Sequence, residues 1–206
     1  MYSRSGSPGA LSTTWRCQIF CASVWGITFV RLPIVGAGVI RTPRYRRSSV
    51  EEVAYHEAGH VVVGHRLGLK LVDVDVLEDG EGGHGHTNFE TPSWFVRDRQ
   101  LDDRKRSFIE AVATTFLAGT VAEARRAGFE NWEAAGFDLD SVVKEWLLLL
   151  FPAAEMGERL KASGAVAAGL VDDAANWQAI EKLARKLLKR RRLIGAEALA
   201  AAGLSG

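Results

Sequence analysis

From Ser48 onward the chain takes up a helical rhythm. Ser48 and Ser49 are each followed three residues later by a glutamate, Glu51 and Glu52, giving two overlapping capping boxes. Val53, His56, His60, Val63 and Leu67 then recur at steps of three and four, so a helix is predicted from about residue 49 to Leu67, stopped by Gly68. From Leu71 to Leu77 the period changes to two, valines alternating with aspartates, which predicts a half-buried strand. The loop Glu78 to Gly83 turns the chain, and Gly85 to Glu90 returns as the second strand of a hairpin. The charged run Arg97 to Arg106 leads into a long helix, Ser107 to about Ala127, closed by Gly128. A further helix is predicted from Leu139 to Phe151, ended by Pro152. A last strong one runs from Asn176 to about Arg192, before a short segment from Leu193 to Leu204. The expected fold class is mainly α with a small β-hairpin or sheet.

Charge divides the chain where this rhythm begins. Residues 1–50 hold seven arginines and no lysine or acidic residue, leaving 19 basic against 25 acidic side chains in the other 156 residues, a net of −6 there. Such a break marks a boundary in origin or role, and the domain is placed at 49–206, with 1–48 as an Arg-rich extension. Residues 17–40 contain a single charge, Arg31, and are long enough to cross a bilayer, but Arg31 and Pro33 sit near the middle. Three readings stand for the extension: a disordered or spurious one, a membrane anchor, or an organellar targeting peptide. Both cysteines, Cys17 and Cys21, lie in it. A metal held by the domain must therefore be taken by histidine and carboxylate. A cytoplasmic location is the expectation, with membrane association only if residues 17–40 anchor the chain.

The chemistry concentrates in His56-Glu57-Ala58-Gly59-His60, an HExxH stretch on the first predicted helix. Histidines four apart project from one face and can share a zinc ion, while the glutamate beside them can take a proton from metal-activated water. Gly59 and Gly64 each cost about 1 kcal/mol relative to Ala inside a helix, a cost that makes sense if a backbone or metal approaches closely. A catalytic zinc takes three protein ligands and leaves one place for water. His65, nine residues from His56, falls half a turn off the pair's face. His84 and His86 would reach only if the hairpin folds over the site, and the remaining candidates are Glu123, Asp138 and Asp140.

Ala54-Tyr55-His56-Glu57-Ala58-Gly59-His60 resembles the motif of the FtsH family, the M41 metallopeptidases, and further segments match in order. Val72 to Val76 with Gly85-His86-Thr87 is similar to a strand and its Gly-aromatic-Thr element. Ala118-Gly119-Thr120-Val121-Ala122-Glu123 resembles a small-residue helix, and Phe137-Asp138-Leu139-Asp140 resembles the element carrying the third zinc ligand. Asn176 to Glu197, with Leu183, Ala184, Leu187, Leu188, Leu193 and Gly195, resembles the closing helix and final segment. The resemblance covers roughly residues 49–206 and implies an HExxH zincin-type M41 peptidase domain. It implies Zn2+ held by His56, His60 and Asp138, Asp140 in reserve, Glu57 as catalytic base, and Glu123 orienting a ligand histidine.

In that family the domain follows an ATP-driven unfoldase. These 206 residues contain no GxxxxGK[ST] phosphate loop, so the expectation is a domain acting without a fused ATPase module, on its own or with a separate ATPase or unfoldase. The family also implies a homo-oligomer. His86 stands where the family has an aromatic-type position. The expected function is a zinc endopeptidase for unfolded or flexible polypeptides, the substrate added as a strand beside Val72–Val76. The alternatives are a narrow regulatory protease acting on one partner and a non-catalytic, zinc-stabilised interaction domain. The basic stretch Arg185 to Arg192 is interleaved with Leu187 and Leu188, as in a solvated amphipathic face, so nucleic-acid binding is not expected.

Overall fold

The computed structural model describes the backbone of residues 14–18, and residues 47–80, 82–96, 100, 102–131 and 152–204. Most of residues 17–40, the helix predicted from Leu139 to Phe151, and Asp138 and Asp140 lie outside the described residues.

The first helix, α1 (Val50–Arg66), begins at Ser49, whose hydroxyl accepts from the Glu52 N–H while the Glu52 carboxylate accepts from the Ser49 N–H. Only this one of the two capping boxes forms, because the Ser48 hydroxyl is turned to Glu123 instead. An amphipathic helix buries one stripe, but here every residue from Glu52 to Gly64 is buried. Helices pack around α1 and a sheet lies across it.

That sheet is antiparallel, in the order β1 (Thr14–Gln18), β3 (Gly83–Glu90), β2 (Leu71–Glu78), β4 (Arg192–Ile194). Val74 and Val76 point into the core as the alternation requires, whereas Val72 is exposed. A register irregularity between Leu71 and Asp73 accounts for the difference, since a bulge re-aims the side chains next to it. Asp73, Asp75, His86 and Asn88 make a polar outer face: Asn88 bonds Asp73, and His86 Nδ1 lies 3.1 Å from Asp75. Arg192 adds a contact of 2.5 Å to Asp73, whose hydrogen bond and charge hold its guanidinium above the usual range.

The long helix α2 (Asp103–Ala127) starts a turn before Ser107, because Asp102 caps the Lys105 N–H at 2.7 Å and the charged run becomes the first turn. It ends as predicted at Gly128, in the left-handed conformation. After a short 3-10 turn (Ala153–Glu155), α3 (Met156–Asp172) is a helix that the sequence pattern did not predict. Its buried face is Met156, Leu160, Ser163, Ala167, Ala168 and Val171, too small for a strong periodic signal, and three glycines interrupt it. Asp173 caps α4 (Ala174–Arg190), which buries Ala179, Ile180, Leu183, Ala184 and Leu187 and exposes its basic side. Arg191 turns through a left-handed φ of 62° into β4, and α5 (Gly195–Ala202) closes the chain.

Candidate metal centre

Helical spacing puts His56 and His60 on one face of α1, with ring centroids 4.6 Å apart. Glu57 completes the group: its carboxylate and the two imidazoles offer ligand atoms within 4.8 Å of one another, and all three residues are wholly buried. It is the one such group among the described residues.

The tautomer of each histidine follows from what its Nδ1 meets. His60 Nδ1 lies 2.7 Å from the Thr115 carbonyl, which can only accept, so Nδ1 donates and a neutral ring carries its lone pair on Nε2. His56 Nδ1 donates to Glu123 Oε2 at 2.9 Å, with the same consequence. The other Glu123 oxygen accepts from Ser48 Oγ at 2.6 Å and from Asn131 Nδ2 at 3.2 Å, and Asn131 also donates to Ser48. All four residues are buried. A buried polar cluster with its members hydrogen-bonded fixes its side chains in one arrangement. Both Nε2 atoms are thus presented for a metal.

A close approach makes room for them. A Cβ on Gly119 of α2 would lie 2.3 Å from His60 Cε1, 2.4 Å from His60 Nε2 and 2.5 Å from His56 Cδ2. The backbone of α2 therefore forms one wall of the site. Gly59 provides the reciprocal contact, its face set against Ala118 and Ala122. Two imidazoles with fixed tautomers fit a borderline-soft ion such as zinc, with the Glu57 carboxylate beside them.

From the other side, β3 lies over Glu57. Thr87 Oγ1 donates to Glu57 Oε2 at 2.6 Å, and a Cβ on Gly85 would come within 2.8 Å of Oε1. Residues alternate along a strand, so His84 and His86 face away from Glu57, and His86 is engaged with Asp75. The hairpin does fold over α1, but on a register that takes both histidines out of the site. His65 stands in the last turn of α1, beyond the buried stretch. Glu123 is brought against His56. Sequence reasoning missed Ser48, Thr87, Thr115, Gly119 and Asn131 as parts of the site. Of these, Ser48 left a trace as a redundant cap, and Thr87 and Gly119 stood in segments that resemble the family's.

No family model matches the chain. It is 35% identical over 181 residues to the ATP-dependent zinc metalloprotease FtsH 1 of Symbiobacterium thermophilum, an alignment covering 75% of this chain and 29% of that protein. With the ATP-dependent zinc metalloprotease FtsH of Metamycoplasma arthritidis the identity is 32% over 88 residues, covering 42% of this chain and 11% of the relative. The chain is similar to FtsH zinc metalloproteases. It spans less than a third of the length of either FtsH relative.

Proposed function

We propose that the chain is a zinc-dependent endopeptidase domain of the zincin type seen in M41 peptidases, acting on unfolded or flexible polypeptides. One observation carries the reading: both HExxH histidines have Nδ1 committed to an acceptor, so two Nε2 atoms and a buried carboxylate converge beside a glycine wall. His56 and His60 hold the ion, with Asp138 as the third ligand that the family resemblance implies. Bound there, zinc supplies Lewis acidity, which makes water acidic near neutral pH and polarises a carbonyl. Glu57 accepts the proton of the attacking water and returns it to the leaving amine. Thr87 holds one Glu57 oxygen, and Gly85 leaves space beside the other.

The edge proposed for substrate differs from the expected one. β2 has β3 on one side and β4 along Asp73–Asp75 on the other, so the edge beside Val72–Val76 is taken. The outer edge of β3, the strand that lies over Glu57, is the one assigned to the polypeptide, in place of β1, which pairs there.

The purified full chain should contain about one zinc per molecule and hydrolyse casein. Glu57→Gln should keep the zinc and lose at least a hundredfold in rate, the usual worth of a general base. Asp138→Ala should lose the zinc, while Asp140→Ala keeps it. A chain with neither metal nor cleavage refutes the proposal, and a zinc-bound chain in which Glu57→Gln changes nothing leaves the ion a structural role.

A further inference from the structure

Gly85 and Thr87 put β3 directly over Glu57, so a strand added along the outer edge of β3 lies at the level of the catalytic base. That position is filled by the chain itself. Thr14–Gln18 runs antiparallel to β3, with Cys17 opposite Thr87, Gln18 opposite His86 and Thr14 opposite Glu90.

We propose that Thr14–Gln18 is an internal occupant of the polypeptide-binding edge, an autoinhibitory strand that substrate must displace. The proposal rests on the peptidase reading above. Strand addition draws its affinity from backbone hydrogen bonds, so it accepts many sequences, and a segment of the same chain competes as well as a foreign one. Belonging to the same chain favours the internal strand, because its pairing with β3 is intramolecular whereas a foreign polypeptide must be drawn from solution. Charge acts in the same direction: the first 50 residues carry seven arginines and no acid, and the remainder has a net charge of −6. An internal strand bound in about nine molecules of ten leaves about one tenth of the edges open, which weakens the apparent affinity of an added polypeptide about tenfold.

Binding is measured in the Glu57→Gln background, where bound polypeptide is not consumed. Arg16→Pro with Cys17→Pro removes two consecutive N–H donors, and proline does not sit in a paired strand. Fluorescently labelled β-casein should bind the proline variant about tenfold more tightly than the parent, with faster amide exchange over Gly85–Glu90. Arg16→Ala with Cys17→Ala keeps the backbone donors and removes one of the seven arginines, so affinity should stay within about twofold of the parent. A synthetic peptide of residues 11–21 should displace casein from the proline variant. Unchanged casein affinity in a proline variant of parental zinc content and helicity overturns the proposal, as does failure of the peptide to compete. Casein hydrolysis by the Glu57 chain reports on the peptidase separately: tighter binding with no hydrolysis keeps the occupied edge and defeats the enzyme.

Discussion

At Gly119 two opposing effects can be compared by size. Replacing a glycine inside a helix with alanine ordinarily gains about 1 kcal/mol. Here the added methyl would stand 2.3 Å from the His60 ring, and overpacking a buried site costs about 1–3 kcal/mol. The net effect of Gly119→Ala should be a less stable protein with rotated ligand rings and at least tenfold weaker zinc binding. Isothermal titration with zinc and a thermal melt check this, and a variant as stable and as tight as wild type would show that the α2 wall is not set by this residue. Only part of the arrangement was legible beforehand. The two histidines and the glutamate of the buried cluster stand within five consecutive residues, so spacing alone brings them together. The cost of Gly59 also pointed correctly to a close backbone. Asn131 and Thr115 leave no local trace, because one contributes through a tertiary contact and the other through a carbonyl that every residue possesses.

Elements were legible in proportion to their apolar contrast. α4 buries large leucines on one side and exposes lysines and arginines on the other, and its span was predicted to within a turn. α3 buries mostly alanine-sized groups, and β4 has one buried side chain, Leu193, in three residues; neither makes a periodic signal. The all-round burial of α1 was likewise hidden, since a sequence shows which residues are apolar but not how many neighbours arrive. The contrast also predicts where stability resides. Leu183 is wholly buried on α4, a helix that packs mainly against α1. Leu183→Ala should cost about 2–5 kcal/mol in denaturant unfolding, as large-to-small changes in a core do. Lys186→Ala, on the exposed side, should change stability by less than about 0.5 kcal/mol. Similar losses for the two would mean that α4 does not bury the side that carries Leu183.

For the whole molecule, an ion held by the buried His56, Glu57 and His60 cluster would link metal binding to global stability. Zinc at a thousand times its Kd adds about 4 kcal/mol to unfolding. For a domain of this size that raises the melting temperature by roughly 10 °C. A chelator should reverse the rise, and His56→Ala with His60→Ala should remove the response. A zinc-induced shift that survives the double substitution would place the ion elsewhere. No helix among the described residues is long and apolar enough to cross a membrane.

The cluster around His56 also sets an order of assembly. His56 and His60 come together as soon as one helix forms, on a sub-microsecond to microsecond scale. Glu123 is 67 residues from His56, and Asn131 is 83 residues from Ser48, so these contacts wait for α1 and α2 to dock. Closing loops of that length is the slow part of folding. Zinc present from the start of refolding meets imidazoles that still rotate, whereas zinc added later meets rings already held by Glu123 and Thr115. A zinc site built on these rings would therefore reach its full affinity only at the end of folding.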